Sequence, residues 1–195
     1  MHMNKVDYPT NKWVADYFEA NYDWVTSATA SEIEDYSVKD VSITTDDDRE
    51  YPVEVKRING GYKMKEDGEF RDYFTRELYE KLRFESGTTS GTPVSGTPVY
   101  FVNAEDKFGN MENGKWKKLL NAKACLVFIA PDGMLLFSPK TLKEAFVGYA
   151  DYLVKHTTEF GKKGSRHWEK KAVLNLEKGR YIPCNPPAEL FTSKQ

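Results

Sequence analysis

The sequence predicts an α/β fold, a single domain over residues 1–195 with a mixed β-sheet of about five or six strands flanked by helices. Three observations carry this. Apolar residues recur at helical spacing near the N-terminus. Two alternating runs meet across an acidic turn, and two further apolar runs meet across Pro131-Asp132-Gly133. Hydrophobic residues make up 39% of the chain and aromatics 14%, enough apolar surface to offset the entropy of ordering the backbone. That composition excludes a disordered chain.

Trp13, Val14, Tyr17, Phe18 and Tyr22 predict a helix from Asn11 to about Trp24, with Asn11 as its N-cap. A polar stretch through Ser37 follows. Val38 to Thr44 and Tyr51 to Ile58 then alternate apolar and polar residues around the turn Thr45-Asp46-Asp47-Asp48-Arg49-Glu50, the pattern of a β-hairpin. Asn59-Gly60-Gly61 ends its second strand. Phe70 to Glu85 suits a helix and a strand equally. The duplicated Ser-Gly-Thr-Pro at 90–93 and 95–98 marks an insert, about 86–98, as a flexible loop, and Val99 to Val102 is a short strand. Leu126 to Ala130 and Met134 to Ser138 form the second hairpin. Pro139 and Thr141 open a helix that buries Leu142, Ala145, Phe146, Tyr149, Tyr152 and Leu153. Ala172 to Leu176 is a late strand.

The first hairpin carries the chemistry. Strand side chains alternate, so Val41 and Ile43 share one face and Asp40 takes the other. Val53 and Val55 likewise share a face, which leaves Glu54 and Lys56 together on the opposite one. The hairpin thus gathers two carboxylates and an ammonium. Hydrolysis of a phosphodiester needs a hard divalent cation to polarise the phosphoryl oxygen and acidify a water. Mg²⁺, or Mn²⁺ in its place, is commonly held by one or two carboxylates with substrate and water. Asp40 and Glu54 are candidate ligands, the Val55 carbonyl is a candidate third oxygen, and Lys56 is placed to orient or deprotonate the water or to meet phosphate charge. The competing reading is a solvated hairpin face on which Glu54 and Lys56 form a surface ion pair worth roughly 0–1 kcal/mol.

Asp40 followed by Glu54-Val55-Lys56 across a hairpin resembles the PD-(D/E)XK nuclease superfamily, which includes restriction endonucleases and Holliday-junction resolvases. The resemblance spans roughly Asn11 to Phe146 and is nearest to small phage and prophage members. Lys39 stands where the motif has Pro, and Lys115-Trp116 and Ala124-Cys125 approximate the Gly-Trp and Ala-Asp of a later strand region. The resemblance implies a restriction-endonuclease-like fold, metal binding by Asp40 and Glu54, assistance to the water by Lys56, and an auxiliary helix acid best matched by Glu19. It implies action on DNA in preference to RNA, in the cytoplasm of a bacterium or a phage-infected host, with a homodimer left open. The alternative is a non-catalytic module of the same fold that binds nucleic acid or a protein partner.

Net charge is −2, so nucleic-acid binding has no global electrostatic argument. A basic C-terminal segment, 155–180, does supply a local one. Within it Lys162, Lys163, Arg166, Lys170 and Lys171 are candidate phosphate contacts, the competing reading being a solvated surface. No window is apolar for the ~18 residues that a membrane span needs, and no apolar run follows Met-His-Met, so an intracellular chain without a membrane partner is expected, with Met3 as its native start. Cys125 and Cys184 lack metal or disulfide spacing and read as free thiols.

Overall fold

Proline fixes φ near the helical value and lacks the N–H that a first helical turn leaves unbonded. Pro9 therefore starts the first helix, α1, which runs Tyr8–Asn21 rather than from Asn11. Asn11 is no cap: it is buried inside the helix and its N–H donates to Asp7 O at 3.0 Å. The computed structural model describes residues 7–32, 39–57, 82–84, 98–155 and 166–191, with backbone alone at 82–84, 154–155 and 166–167. All of the insert, about 86–98, except Pro98, and most of the ambiguous segment, 70–81 and Glu85, lie outside the described residues.

After α1 come β1 (Val25–Ala30), β2 (Val41–Thr45) and β3 (Glu50–Arg57). Two more strands, β4 (Leu82–Phe84) and β5 (Val99–Asn103), precede helix α2 (Lys115–Asn121). The hairpin β6 (Cys125–Ala130) and β7 (Gly133–Phe137) follows, then α3 (Pro139–Ala145), β8 (Phe146–Lys155), β9 (Arg166–Asn175) and β10 (Arg180–Pro183). Six strands form one mixed sheet in the order β1-β2-β3-β6-β7-β10, in which β3 and β6 are parallel and the other pairs antiparallel.

A second, four-stranded antiparallel sheet, β4-β8-β9-β5, was not expected. It arises where the sequence predicted one long helix from Pro139 through Leu153. Ser138 caps α3 by accepting the Thr141 N–H at 3.2 Å, but the helix stops at Ala145. Phe146, Tyr149 and Tyr152 fit both periodicities. Gly148, at φ +151°, marks a bulge that turns this segment into strand along the ten-residue β9. β9 itself is longer than the predicted Ala172–Leu176.

Both faces of the six-stranded sheet are covered. On one, Val14, Ala15 and Phe18 of α1 pack on Val41, Ile43, Val53, Val55, Val127 and Ile129. On the other, Leu126 and Phe128 of β6 meet Trp116 and Leu119 of α2, Leu142 of α3, and Val102, Ala172 and Leu174 of the second sheet. Among the described residues no helix is long and apolar enough to cross a membrane.

Candidate active site

The site lies on the face of β3 turned away from α1. Parity places it there: Val53 and Val55 point into the core beneath α1, so Glu54 and Lys56 point the other way. The register Val41↔Val53 brings Asp40, one step outside the last rung of β2, level with Glu54. Main chain fixes Asp40 on both sides. Its N–H donates to Val53 O at 3.0 Å, its carbonyl accepts the Ser31 N–H at 2.9 Å, and its Oδ2 accepts the Val55 N–H at 2.8 Å. The N–H and C=O of a strand residue share an edge, so the Val55 carbonyl faces the Asp40 side as well.

Glu54 is not a surface acid. It is 2% exposed, which removes the solvated-hairpin reading. Its Oε1 lies 2.5 Å from Lys56 Nζ and its Oε2 2.7 Å from Lys115 Nζ. The first contact is an ion pair. The second is an ion pair as well, and Oε2 is buried without a hydrogen-bond partner. Lys56 and Lys115 are partly exposed and, with Glu54, Tyr100, Asn103 and Leu119, line a cleft of about 370 Å³ between β3, β5 and α2.

Burial, and then the charge of Glu54, raise the Asp40 carboxyl above its ordinary pKa, against the Val55 N–H and the ammoniums of Lys56 and Lys115. For Lys56 burial is the largest influence and works downward. The charge and hydrogen bond of Glu54, with Tyr100 and Asp40, outweigh it and raise the pKa. Lys56 is thus held as an ammonium, a donor rather than a base.

Lys115 is the member that sequence reasoning missed. The stretch from Lys115 was matched to a strand region, yet it forms α2, with Trp116 and Leu119 buried and Trp116 stacked on Phe146 at 5.2 Å. Gly114 precedes it with its Cα against the end of β5, where a Cβ would sit 2.1 Å from Ala104 O. That close approach sets where Lys115 begins. The one sequence signal was a glycine beside a lysine at a helix start, which is weak.

The remaining candidates do not join the cleft. Glu19 is exposed on α1, which covers the opposite face of the sheet. Lys170 and Lys171, successive residues of β9, point to opposite faces and have acid partners. Lys170 Nζ is 3.6 Å from Asp151, while Lys171 Nζ is 2.7 Å from Glu169 and also donates to Asn103. Arg166 opens β9 opposite Lys155. Lys162 and Lys163 lie outside the described residues. Asp46, Asp47 and Asp48 form an exposed turn in which Thr45 Oγ1 donates to Asp47 at 2.5 Å. Cys125 and Cys184 are free, and burial pushes both thiols up to about 11.

A hard divalent cation is compatible with these residues. Among the described residues no three His, Cys, Asp or Glu side chains cluster closely enough to hold an ion. The donors present are oxygens, the type Mg²⁺ accepts: the Asp40 carboxylate, the unpartnered Oε2 of Glu54 and the carbonyl of Val55, whose N–H meets Asp40. No protein-family model, curated protein or solved structure matches this chain.

Proposed function

We propose that this chain is a Mg²⁺- or Mn²⁺-dependent nuclease that hydrolyses phosphodiester bonds of DNA, with a PD-(D/E)XK-type site on a restriction-endonuclease-like sheet. The observation that carries the reading is the gathering of Asp40, Glu54 and Lys56 on one face of two antiparallel neighbours, where Glu54 and Lys56 open onto a cleft. A mixed sheet with helices on both faces supports it at the level of fold.

When bound, the ion would supply a Lewis acid and an acidified water. The chain's own residues do the rest. Asp40 is positioned by the main chain of β3, so its carboxylate is preorganised rather than mobile. Glu54 offers a buried oxygen with no hydrogen-bond partner of its own. Lys56, kept charged, donates to the water or to a phosphate oxygen and stabilises negative charge there. With Lys170 and Lys171 engaged by acids, a phosphate path along the basic segment rests on Lys162 and Lys163.

The test is cleavage of a panel of single-stranded, double-stranded and branched DNA, with RNA alongside, in Mg²⁺ or Mn²⁺. Activity should require the ion and disappear in Glu54→Gln. One observation favours a second reading, the non-catalytic module: Lys115 balances the second carboxylate, and two ammoniums suit a phosphate without any metal. Metal-independent binding with no cleavage anywhere in the panel would select it.

A further inference from the structure

We infer that Lys115 is an exchangeable internal counter-ion of Glu54, which holds the buried carboxylate in the metal-free chain and yields it to a divalent cation. The inference rests on the metal-site reading above and adds a control on it. Lys115, not a ligand, then sets how tightly the ion binds.

Three features lead there. First, the two lysines are not equivalent. Lys56 Nζ stands 2.5 Å from Oε1, whereas Lys115 Nζ stands 2.7 Å from Oε2 and leaves that buried oxygen without a hydrogen bond. Lys115 is thus the partner on the oxygen that a metal would take. Second, its place in the helix is unfavourable by itself. Lys115 is the first residue of α2, at the positive end of the helix, where anions are preferred and α2 has no side-chain cap. Its head group is held by Glu54, not by its helix. Third, the charges balance. Asp40 and Glu54 against Lys56 and Lys115 sum to zero when all four are ionised, so an incoming divalent cation meets no net attraction until one ammonium leaves.

Departure is sterically simple. Mg²⁺ sits about 2.0–2.1 Å from its oxygen ligands, so an ion and an ammonium on the same Oε2 would stand within about 4–5 Å of each other and repel. Gly114 against Ala104 and the buried Trp116 hold the Lys115 backbone still. Its partly exposed stem lets the ammonium swing into the cleft beside Tyr100 and Asn103. There it faces the space that a substrate phosphate would enter.

The experiment is calorimetric titration of Mn²⁺ into the full chain: wild type, Lys115→Met, Lys115→Arg and Glu54→Gln, each checked for folding by circular dichroism. Lys115→Gln serves as a second neutral variant should Lys115→Met fail to fold. The neutral variants should bind Mn²⁺ at least about tenfold more tightly than wild type, and Lys115→Arg should stay near it. Unchanged or weaker affinity in the neutral variants, with binding still lost in Glu54→Gln, overturns the counter-ion role and leaves the metal site standing. Wild-type affinity in Glu54→Gln overturns the metal site and the inference together.

Discussion

A buried carboxylate with no counter-charge costs several kcal/mol, and Glu54 avoids this by facing two ammoniums. Asp40 beside it has the opposite balance. Its burial, with the charge of Glu54, raises its carboxyl despite the Val55 N–H and the two lysines. A carboxyl whose pKa is higher folded than unfolded stabilises the fold while protonated. That contribution is complete below the unfolded pKa and is lost as pH rises through the folded one. Once ionised, Asp40 therefore works against folding, as a carboxylate kept for the proposed metal site would. Asp40→Asn keeps an oxygen for the Val55 N–H and removes the charge. The variant should match or exceed wild-type stability in urea at about pH 7.5 and lose that advantage as pH falls through the raised pKa of Asp40. On the proposed nuclease reading, metal-dependent cleavage should fall by at least about 10²-fold. A clear loss of stability at the higher pH would make the ionised carboxylate a structural anchor of the β2–β3 pair instead.

At the scale of elements, β2 and β3 are legible in the sequence because a sheet with one face against a helix repeats its apolar residues at every second position, and Val41, Ile43, Val53 and Val55 do so. The same pattern puts Asp40, Glu54 and Lys56 on the other face, so most of the candidate site is readable too. β1 is not legible, since this edge strand buries only its ends and after Val25 is built of Thr, Ser and Ala. The helix-to-strand switch at Phe146 is hidden because apolar spacing there fits both periods, and the arbiter is the ladder with β9. Lys115 is hidden for a further reason: its contact with Glu54 is purely tertiary and depends on how α2 docks. Gly114 is the docking point, which makes it testable. A Cβ there would overlap backbone atoms of Ala104 and Glu105, not a side chain that could rotate away. Gly114→Ala should lower stability by about 1–3 kcal/mol in denaturant melts and shift the start of α2. Because Lys115 moves with it, Mn²⁺ affinity should change as well. A variant with altered stability and unaltered affinity would uncouple the docking of α2 from the site.

Over the whole molecule, the question is whether the second sheet is an appendage or part of the unit that holds the cleft. The packing favours one unit. Phe128 of β6 is fully buried, its ring 4.7 Å from Tyr100 of β5 and 5.9 Å from Phe137 of β7, both edge-on. Tyr100 lines the cleft with Lys56, so one aromatic chain runs from the centre of the six-stranded sheet through the second sheet to the site. Ala172 and Leu174 of β9 join the same core. A shared core of this kind predicts a single cooperative transition on heating, since neither sheet can lose its inner face without exposing that of the other. Phe128→Ala should cost about 3–5 kcal/mol, or roughly 6–20 °C in Tm for a chain of this size, and the transition should remain single. Tyr100 would lose its packing partner, so binding at the cleft should weaken even though Phe128 does not line it. Differential scanning calorimetry with near-ultraviolet circular dichroism on the same samples checks both points. Two separated transitions, with only the lower one displaced by the substitution, would mean that the second sheet docks on the first as an independent layer, and Tyr100 would then be a removable wall of the cleft.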